Sequence, residues 1–407
     1  MKKKVLYLAA GNPIQPSVGM DLVVGEHLKE LAASDDLDVT AIAVAPGIKG
    51  QPDAGRYSLA GLPVRLFVGD LLKEPGGIGR LGRKLRLITT HPVPVMAYSF
   101  KSDEAAAEIS RLFAQNEYDV VVVDHYYALT NIRFHDLKKY AGKLVYISHD
   151  AMFPHIGEMA NMKEGGLAKV YYRMEAIRTH FVERQLFDLA ANVVHLSEYE
   201  RAQVKDSVEK HVALLPPVCS KDAVLAMQAP RDPRYAHSIV FIGSPGHPPN
   251  AHALDWILNR FGPVLARTAP DVEIALIGGG TDRLPKSGKN IKGYGFVSSE
   301  QMQSMLASCI CSISPVTKGR GIKIKVLDAI ASGCPVLATE ESLRGFERFG
   351  LKPDIQQDNP EALAETVKKM AQSDRLQTEA REAMKQAWAS FLQQRTGQLA
   401  QVVRAAV

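Results

Sequence analysis

The sequence predicts an α/β protein of two domains, each built on a parallel sheet with helices on both faces. Three observations point there. The chain has 407 residues, too many for one ordinary hydrophobic core and enough for two. Short apolar runs bounded by turn residues recur from end to end, and segments of helical periodicity lie between them, the alternation expected of buried parallel strands joined by crossover helices. A proline-rich junction, Leu214-Leu215-Pro216-Pro217-Val218, falls near the middle.

In the first half the strand candidates are Lys4 to Ala9, Leu37 to Val44, Val64 to Val68, Val120 to Val123, Lys143 to Ser148 and Ala191 to Leu196. In the second they are His237 to Ile242, Val272 to Ile277, Ile291 to Tyr294, Ile310 to Ser314 and Pro335 to Ala338. Both halves are therefore Rossmann-like. Helices are expected over Asp21 to Ala33, where Leu22, Val23, His27, Leu28 and Leu31 follow helical spacing, and over Ala362 to Gln372. Asp374 to Leu399 reads as one or two amphipathic helices. The expected division is a first domain over 1–215, a hinge over 216–236, a second domain over 237–385 and a final helix over 386–407 that packs back on the first domain.

Composition limits the function classes. Hydrophobic residues make up 46% and charged residues 23%, the proportions of a soluble globular enzyme and not of a disordered chain. The formal charge of +5 and pI near 8.8 favour phosphate-bearing ligands or an anionic bilayer, and fall short of a nucleic-acid footprint. Cys219, Cys309, Cys311 and Cys334 show no zinc spacing and are read as reduced, mostly buried thiols. The apolar run after Met1-Lys2-Lys3-Lys4 leads straight into a turn, so it reads as a first buried strand and not as a secretory signal. No stretch is long and apolar enough to span a bilayer, and a cytoplasmic protein is expected, one that touches the membrane's inner face.

The most informative stretch runs from Ser314 to Thr339. A strand enters a glycine pair, Gly319 and Gly321, the glycines open a helix, and the helix ends at Gly333-Cys334-Pro335. This is the make-up of an anion trap. Glycines let backbone N–H groups approach a ligand, a helix start adds partial positive charge, and Arg320, Lys323 and Lys325 add full charges. A diphosphate fits such a loop, and Asp328, further along the helix, has a carboxylate suited to ribose hydroxyls.

This stretch resembles the carboxy-terminal signature of the family-four, "group 1" glycosyltransferases. Phe241-Ile242-Gly243-Ser244 with Pro249-Asn250-Ala251 resembles the first strand and loop of the same domain, and Gly293-Tyr294-Gly295-Phe296-Val297 resembles its base-binding loop. The resemblance implies the GT-B architecture, two Rossmann-like domains whose parallel sheets face an interdomain cleft. It implies a nucleotide-diphosphate sugar, of the UDP or GDP type, as donor substrate, and no further cofactor. Gly243, Ser244, Gly295 and Phe296 join the glycine and lysine loop as donor contacts. Two departures stand out. Many members carry a glutamate where this chain has Arg320, and many have an Arg and a Lys after the first glycine, where this chain has Ser244 to Asn250. Lys323 and Lys325 then become the expected phosphate cations. Gly278-Gly279-Gly280, with no helix clearly following, reads as a flexible turn.

The resemblance also assigns the first domain. The glycine loop Gly11 to Met20 would wall the site, with Gly19 in contact with the donor, since ligands gather outside the carboxyl ends of parallel strands. His149 and Asp150 follow one strand end, where the family commonly has a histidine near the donor sugar, and they are the expected catalytic pair. Asp124 and His125 follow another, and face the acceptor or cap the next helix. Transfer with retention implies a departing phosphate that helps to deprotonate the acceptor, with no metal. Glu175 and Glu183 read as surface charges. Arg80, Arg83, Lys84 and Arg86, interleaved with apolar residues, form either a membrane-contacting stretch that presents a lipid-linked acceptor or a solvated helix face. The activity expected is sugar transfer to a carbohydrate or lipid-linked acceptor in cell-surface polysaccharide or glycolipid synthesis. The alternatives are a sugar-nucleotide epimerase or hydrolase of the same fold, or a non-catalytic nucleotide-sugar-binding subunit.

Overall fold

The computed structural model of the protein describes residues 2–16, 19–48, 53–70, 93–149, 152–161, 166–204, 211–215, 221–284, 290–319 and 321–406. The chain forms two compact units, Met1–Pro216 with Thr396–Val407, and Pro217–Arg395.

The first unit is built on β1 (Lys3–Ala10), β2 (Leu37–Ala45), β3 (Gly55–Leu59), β4 (Leu62–Val68), β5 (Val120–Asp124), β6 (Leu144–Ser148), β7 (Ala190–His195) and β8 (His211–Leu214). Their order is β3-β4-β2-β1-β5-β6-β7-β8, parallel throughout except for the β3–β4 hairpin. Ala60 and Gly61 turn that hairpin with positive φ at both, the conformation a tight two-residue turn demands. The strands β5 and β6 are buried along their whole length, which is why they read as continuous apolar runs. The order reverses once. The chain moves outward from β1 through β2, then returns to start again at β5 on the other side of β1, so the loops leaving β1 and β5 part company and leave a crevice at the carboxyl edge.

The second unit repeats the plan with β9 (Ser238–Ile242), β10 (Glu273–Ile277), β11 (Ile291–Gly295), β12 (Cys311–Ser314) and β13 (Val336–Ala338), all parallel in the order β11-β10-β9-β12-β13. Here the reversal lies between β9 and β12. Ile239, Phe241, Ile274, Leu276 and Ile313 form its central core.

All eleven expected strands are present. Two strands were missed: β3, because it is half-exposed and carries Arg56 and Ser58, too polar to register as an apolar run, and β8, which has only four residues. Of the residues expected as a hinge, all but Pro216 group with the second unit, where Ala223 and Ala226 of the helix Lys221–Ala226 are buried in its core. Asp374 to Leu399 resolves into two helices. Asp374–Arg395 belongs to the second unit, and Gln398–Ala405, after the left-handed Gly397, belongs to the first. Leu399 donates its N–H to Glu30 at 2.7 Å, and Arg404 grips Asp36 with two bonds of 2.7 and 2.8 Å. Cys309, Cys311 and Cys334 are free and buried; Cys219 lies outside the described residues. No described helix is long and apolar enough to cross a membrane.

One expectation is overturned. Glu175 and Glu183 are not surface charges; both are buried on the helix Gly166–Leu189. Glu175 accepts the Val95 N–H at 2.6 Å and pairs with Arg178 at 2.9 Å. Glu183 accepts the N–H groups of Met152 and Phe153 at 3.4 and 3.0 Å and the Tyr146 hydroxyl at 3.3 Å. The first two are orphan donors at the start of the helix Met152–Asn161, so a distant side chain does the work of a local cap. Burial raises the Glu183 carboxyl to about 8, against the pull of these hydrogen bonds.

A carboxyl that titrates higher in the folded than in the unfolded chain binds more protons when folded. Its stabilisation is complete below the unfolded value and is lost as pH rises toward 8, with a limiting slope of about 1.4 kcal/mol per pH unit. Denaturant unfolding between pH 5 and pH 8 should therefore show Glu183→Gln flattening the fall in stability seen for the parent chain. Parallel curves for the two proteins would contradict this assignment.

Candidate functional site

In the second unit, the loops leaving β9, β10 and β12 converge at the reversal. After β9, Gly243 donates to the Ile277 carbonyl at 2.7 Å, and a Cβ at Gly243 would lie only 2.8 Å from the Asn250 side chain. After β12, Gly319 has φ +99°, and a Cβ there would meet Pro249 at 2.8 Å. Glycine is required at both places, once for close approach and once also for conformation. The helix Ile324–Ala331 starts immediately after this loop.

Lys325 reaches back across the reversal. Its ammonium donates to Asn250 Oδ1 at 2.6 Å and lies 4.6 Å from the centre of the Phe241 ring on β9. Asn250 in turn donates to the Ser244 carbonyl at 3.2 Å, and Ser244 donates to the Gly279 carbonyl at 2.9 Å. A cation is thus held between diverging strands by one neutral acceptor and a ring face. Burial, and then the neighbouring Lys323, lower its pKa to about 7. Lys323 is placed differently. It bonds the Gly319 and Gly321 carbonyls at 3.0 and 2.9 Å and pairs with Glu341 at 3.2 Å. It therefore shapes the loop from within. Asp328 is half-buried, one turn beyond Lys325 on the same helix.

In the first unit, the reversal between β1 and β5 carries a buried cluster around Asp124. Tyr7 of β1 and His27 of the helix Gly19–Ala32 both donate to Oδ2, His27 through Nδ1 at 2.8 Å, and His149 beyond β6 donates through Nε2 to Oδ1. Burial alone would raise the Asp124 carboxyl, but the His149 and His27 rings reverse this and hold it far below the usual carboxylate range. Burial and then Asp124 raise the Tyr7 hydroxyl. His125 takes φ +67°, an uncommon conformation for a residue with a side chain. Its Nδ1 accepts the Tyr127 N–H at 3.1 Å, and its ring centre stands 5.2 Å from that of His149. Burial and then His149 lower its pKa well below the histidine value. The ligand atoms of His27, Asp124 and His149 lie within 4.8 Å of one another, a spacing that would suit a cation. Both carboxylate oxygens are already engaged by these hydrogen bonds, so the trio reads as a hydrogen-bonded cluster.

The second unit also matches a family model, glycosyl transferases group 1, over residues 236–373. Residues 236–373 are a glycosyl transferases group 1 domain. The chain thus carries a glycosyltransferase domain, and the reversal described above falls inside it. A curated protein described as an uncharacterized 44.6 kDa protein in the cps region of Klebsiella pneumoniae is 27% identical over 117 residues, 26% of this chain and 30% of that relative; the match spans less than a third of the relative's length. Whole-chain likeness comes from solved structures. A sucrose-phosphate synthase from Thermosynechococcus elongatus is 16% identical with a TM-score of 0.64, and the match covers 100% of both chains. The catalytic domain of starch synthase IV from Arabidopsis thaliana, bound to ADP and acarbose, is 12% identical with a TM-score of 0.62, covering 99% of this chain and 100% of that one. The Anabaena HepE protein in complex with UDP and glucose is 14% identical with a TM-score of 0.58, covering 99% and 100%. The fold is GT-B.

The group 1 domain gathers Gly243, Ser244, Gly319, Gly321, Lys323 and Lys325 at one strand reversal, and Asp328 lies one turn further along the helix that carries Lys325. Gly295 and Phe296 stand apart from them, at the end of the edge strand β11, with β10 between it and β9; Phe296 is 92% exposed. In the first unit Asp124, His125 and His149 come together, and Gly19 begins the first helix. Arg320 and Asp150 lie outside the described residues, as do Arg80, Arg83, Lys84 and Arg86. Three participants escaped the sequence reading. Tyr7 and His27 sit inside apolar patterns that read as core, and Asn250 appeared only as part of a motif. The available signals were a tyrosine hydroxyl within a continuous apolar run for Tyr7 and a histidine at an apolar position of a helical pattern for His27.

The Lys325 geometry has a direct spectroscopic consequence. In a lysine-methylated sample followed by carbon NMR, one dimethyl-lysine resonance should titrate near pH 7, be absent from Lys325→Ala, and stand clear of surface lysines near about 10.4. A single population titrating near 10 would refute it.

Proposed function

We propose that the chain moves a sugar from a nucleotide-diphosphate sugar of the UDP or GDP type to a carbohydrate or lipid-linked acceptor, with retention and without a metal, in cell-surface polysaccharide or glycolipid synthesis. The observation that carries this reading is Lys325, a half-buried cation presented at the strand reversal of a group 1 domain. A diphosphate there would take charge from Lys325, backbone N–H groups from the loop at Gly319 and Gly321, and ribose contacts from Asp328. Gly243 and Ser244 would line its far side, and Gly295 and Phe296 would meet the base. The cps-region relative supports a role in polysaccharide synthesis, and the likeness to a protein solved with UDP and glucose supports the donor class.

In the reaction the bond from the anomeric carbon to the diphosphate breaks, the acceptor oxygen bonds that carbon, and the acceptor proton passes to the departing phosphate. The protein then has to stabilise charge rather than supply a strong base. Lys325 neutralises the leaving group. His149, oriented by Asp124, positions the sugar; Asp150 and Gly19 are assigned beside it, and His125 and Asp124 serve the acceptor side. Arg320 brings a further cation to the loop. The reaction belongs in the cytoplasm, at the membrane's inner face when the acceptor carries a lipid, with Arg80, Arg83, Lys84 and Arg86 toward that surface.

Protonated Lys325 is the form a diphosphate prefers, and the diphosphate of a nucleotide sugar does not itself titrate near neutrality. Affinity for the nucleotide sugar should therefore fall as pH rises through 7, measured by calorimetry. Lys325→Ala should weaken binding about tenfold or more, the range for a lost charge-assisted hydrogen bond, and should remove that pH dependence. His149→Ala should leave donor affinity largely intact and lower turnover. Unchanged affinity in Lys325→Ala would sink the donor assignment, and free sugar or an epimer formed from donor alone would replace transfer with hydrolysis or epimerisation.

A further inference from the structure

The helix Gly166–Leu189 is built inside out. Its inward face carries Glu175, Thr179 and Glu183, all buried. Its outward face carries Val170, Met174, Ile177 and Phe181, which are 55%, 46%, 58% and 65% exposed. At about 100° per residue these four fall on a single line roughly 16 Å long. Ordinary surface helices place such a line against the core, and four large apolar side chains in a row on the solvent side mark an interaction surface.

The charges beside the line say what it meets. On one flank lie Lys169, Arg173 and Arg184, with His180 among them, and on the other lie Tyr171 and Arg178. Arg178 is tied inward to Glu175 and to the Val93 carbonyl. The two inward glutamates take no part in the outer surface, and the one exposed acid of the helix, Asp188, already pairs with Arg184 at 3.2 Å. The outer face is therefore apolar along its centre and basic along one edge. A second copy of the chain laid antiparallel on this line would set basic edge against basic edge, with Arg173 facing His180 and Lys169 facing Arg184, and pack like charges together. An anionic bilayer answers both features at once, taking the apolar line into its interface and the cations against its headgroups.

We propose that this face of Gly166–Leu189 docks on an anionic lipid surface. It uses residues apart from the basic segment at Arg80 to Arg86 and from the donor crevice, and it rests on neither. The full chain should co-sediment with vesicles containing phosphatidylglycerol and stay in solution with phosphatidylcholine alone, with binding weakened by salt. The double variant Ile177→Ser, Phe181→Ser should lower partitioning about tenfold or more, since two exposed apolar side chains no longer enter the interface, and Arg173→Gln should lower it about fivefold. Both variants change exposed positions, so thermal unfolding and the thermal shift with a nucleotide diphosphate should match the parent chain. That control separates failure here from failure of the donor assignment. Equal partitioning of parent and double variant, or no partitioning of the parent, overturns the proposal. So does a parent dimer in sedimentation equilibrium that the double variant splits, because the face would then belong to a second copy.

Discussion

A carboxylate fully removed from water costs several kcal/mol unless its lone pairs are answered, and in the first unit everything near the strand reversal is arranged to answer Asp124. Its donors come from β1, from the first helix and from the segment after β6, and Asp124 itself ends β5. One side chain therefore joins the two strands that diverge at the crevice to the elements on either side. Loss of a single donor would leave a buried charge partly unpaired, so the position of His149 depends on Tyr7 and His27 although neither touches it through a hydrogen bond. The strain accepted at His125 is consistent with a segment whose conformation is dictated by these neighbours.

The second unit solves the complementary problem. Lys325 is a cation with a neutral hydrogen-bond acceptor and an aromatic face, and no described ion pair includes it. Lys323, two residues earlier, has two carbonyls and Glu341. Two lysines that look interchangeable in sequence thus divide their tasks: one closes the loop, and the other is left short of negative charge. A cation in that condition favours an anionic ligand because binding returns the stabilisation that burial removed. The same topological rule places both sites, since each lies where strand order reverses at the carboxyl edge of a parallel sheet.

The strands were legible because parallel strands buried on both faces must be apolar along their length, as β5 and β6 are. The donor loop was legible because glycine, lysine and helix start occur together within a few residues. What could not be read was pairing across distance. Nothing near Asp124 announces His27, 97 residues away, and nothing near Met152 announces Glu183 as the acceptor for its N–H. Lys323 and Lys325 could not be told apart because their difference is the direction each side chain takes, and Asn250 acquired its role only through the ammonium it faces.

The helix Gly166–Leu189 shows the same limit in its sharpest form. Periodicity reports that Val170, Met174, Ile177 and Phe181 share a face, and that Glu175 and Glu183 share another; it does not report which face turns inward. The usual rule selects the apolar line, and here tertiary demand overrides it. Met152 and Phe153 need an acceptor for their N–H groups, Val95 needs another, and the two glutamates supply both only if the helix is turned with its acids inside. The apolar line is then left in water, where each large side chain forgoes about 1.5–3 kcal/mol of burial. A helix oriented by buried hydrogen bonds in this way keeps an apolar, basic-edged surface available without unfolding anything to expose it.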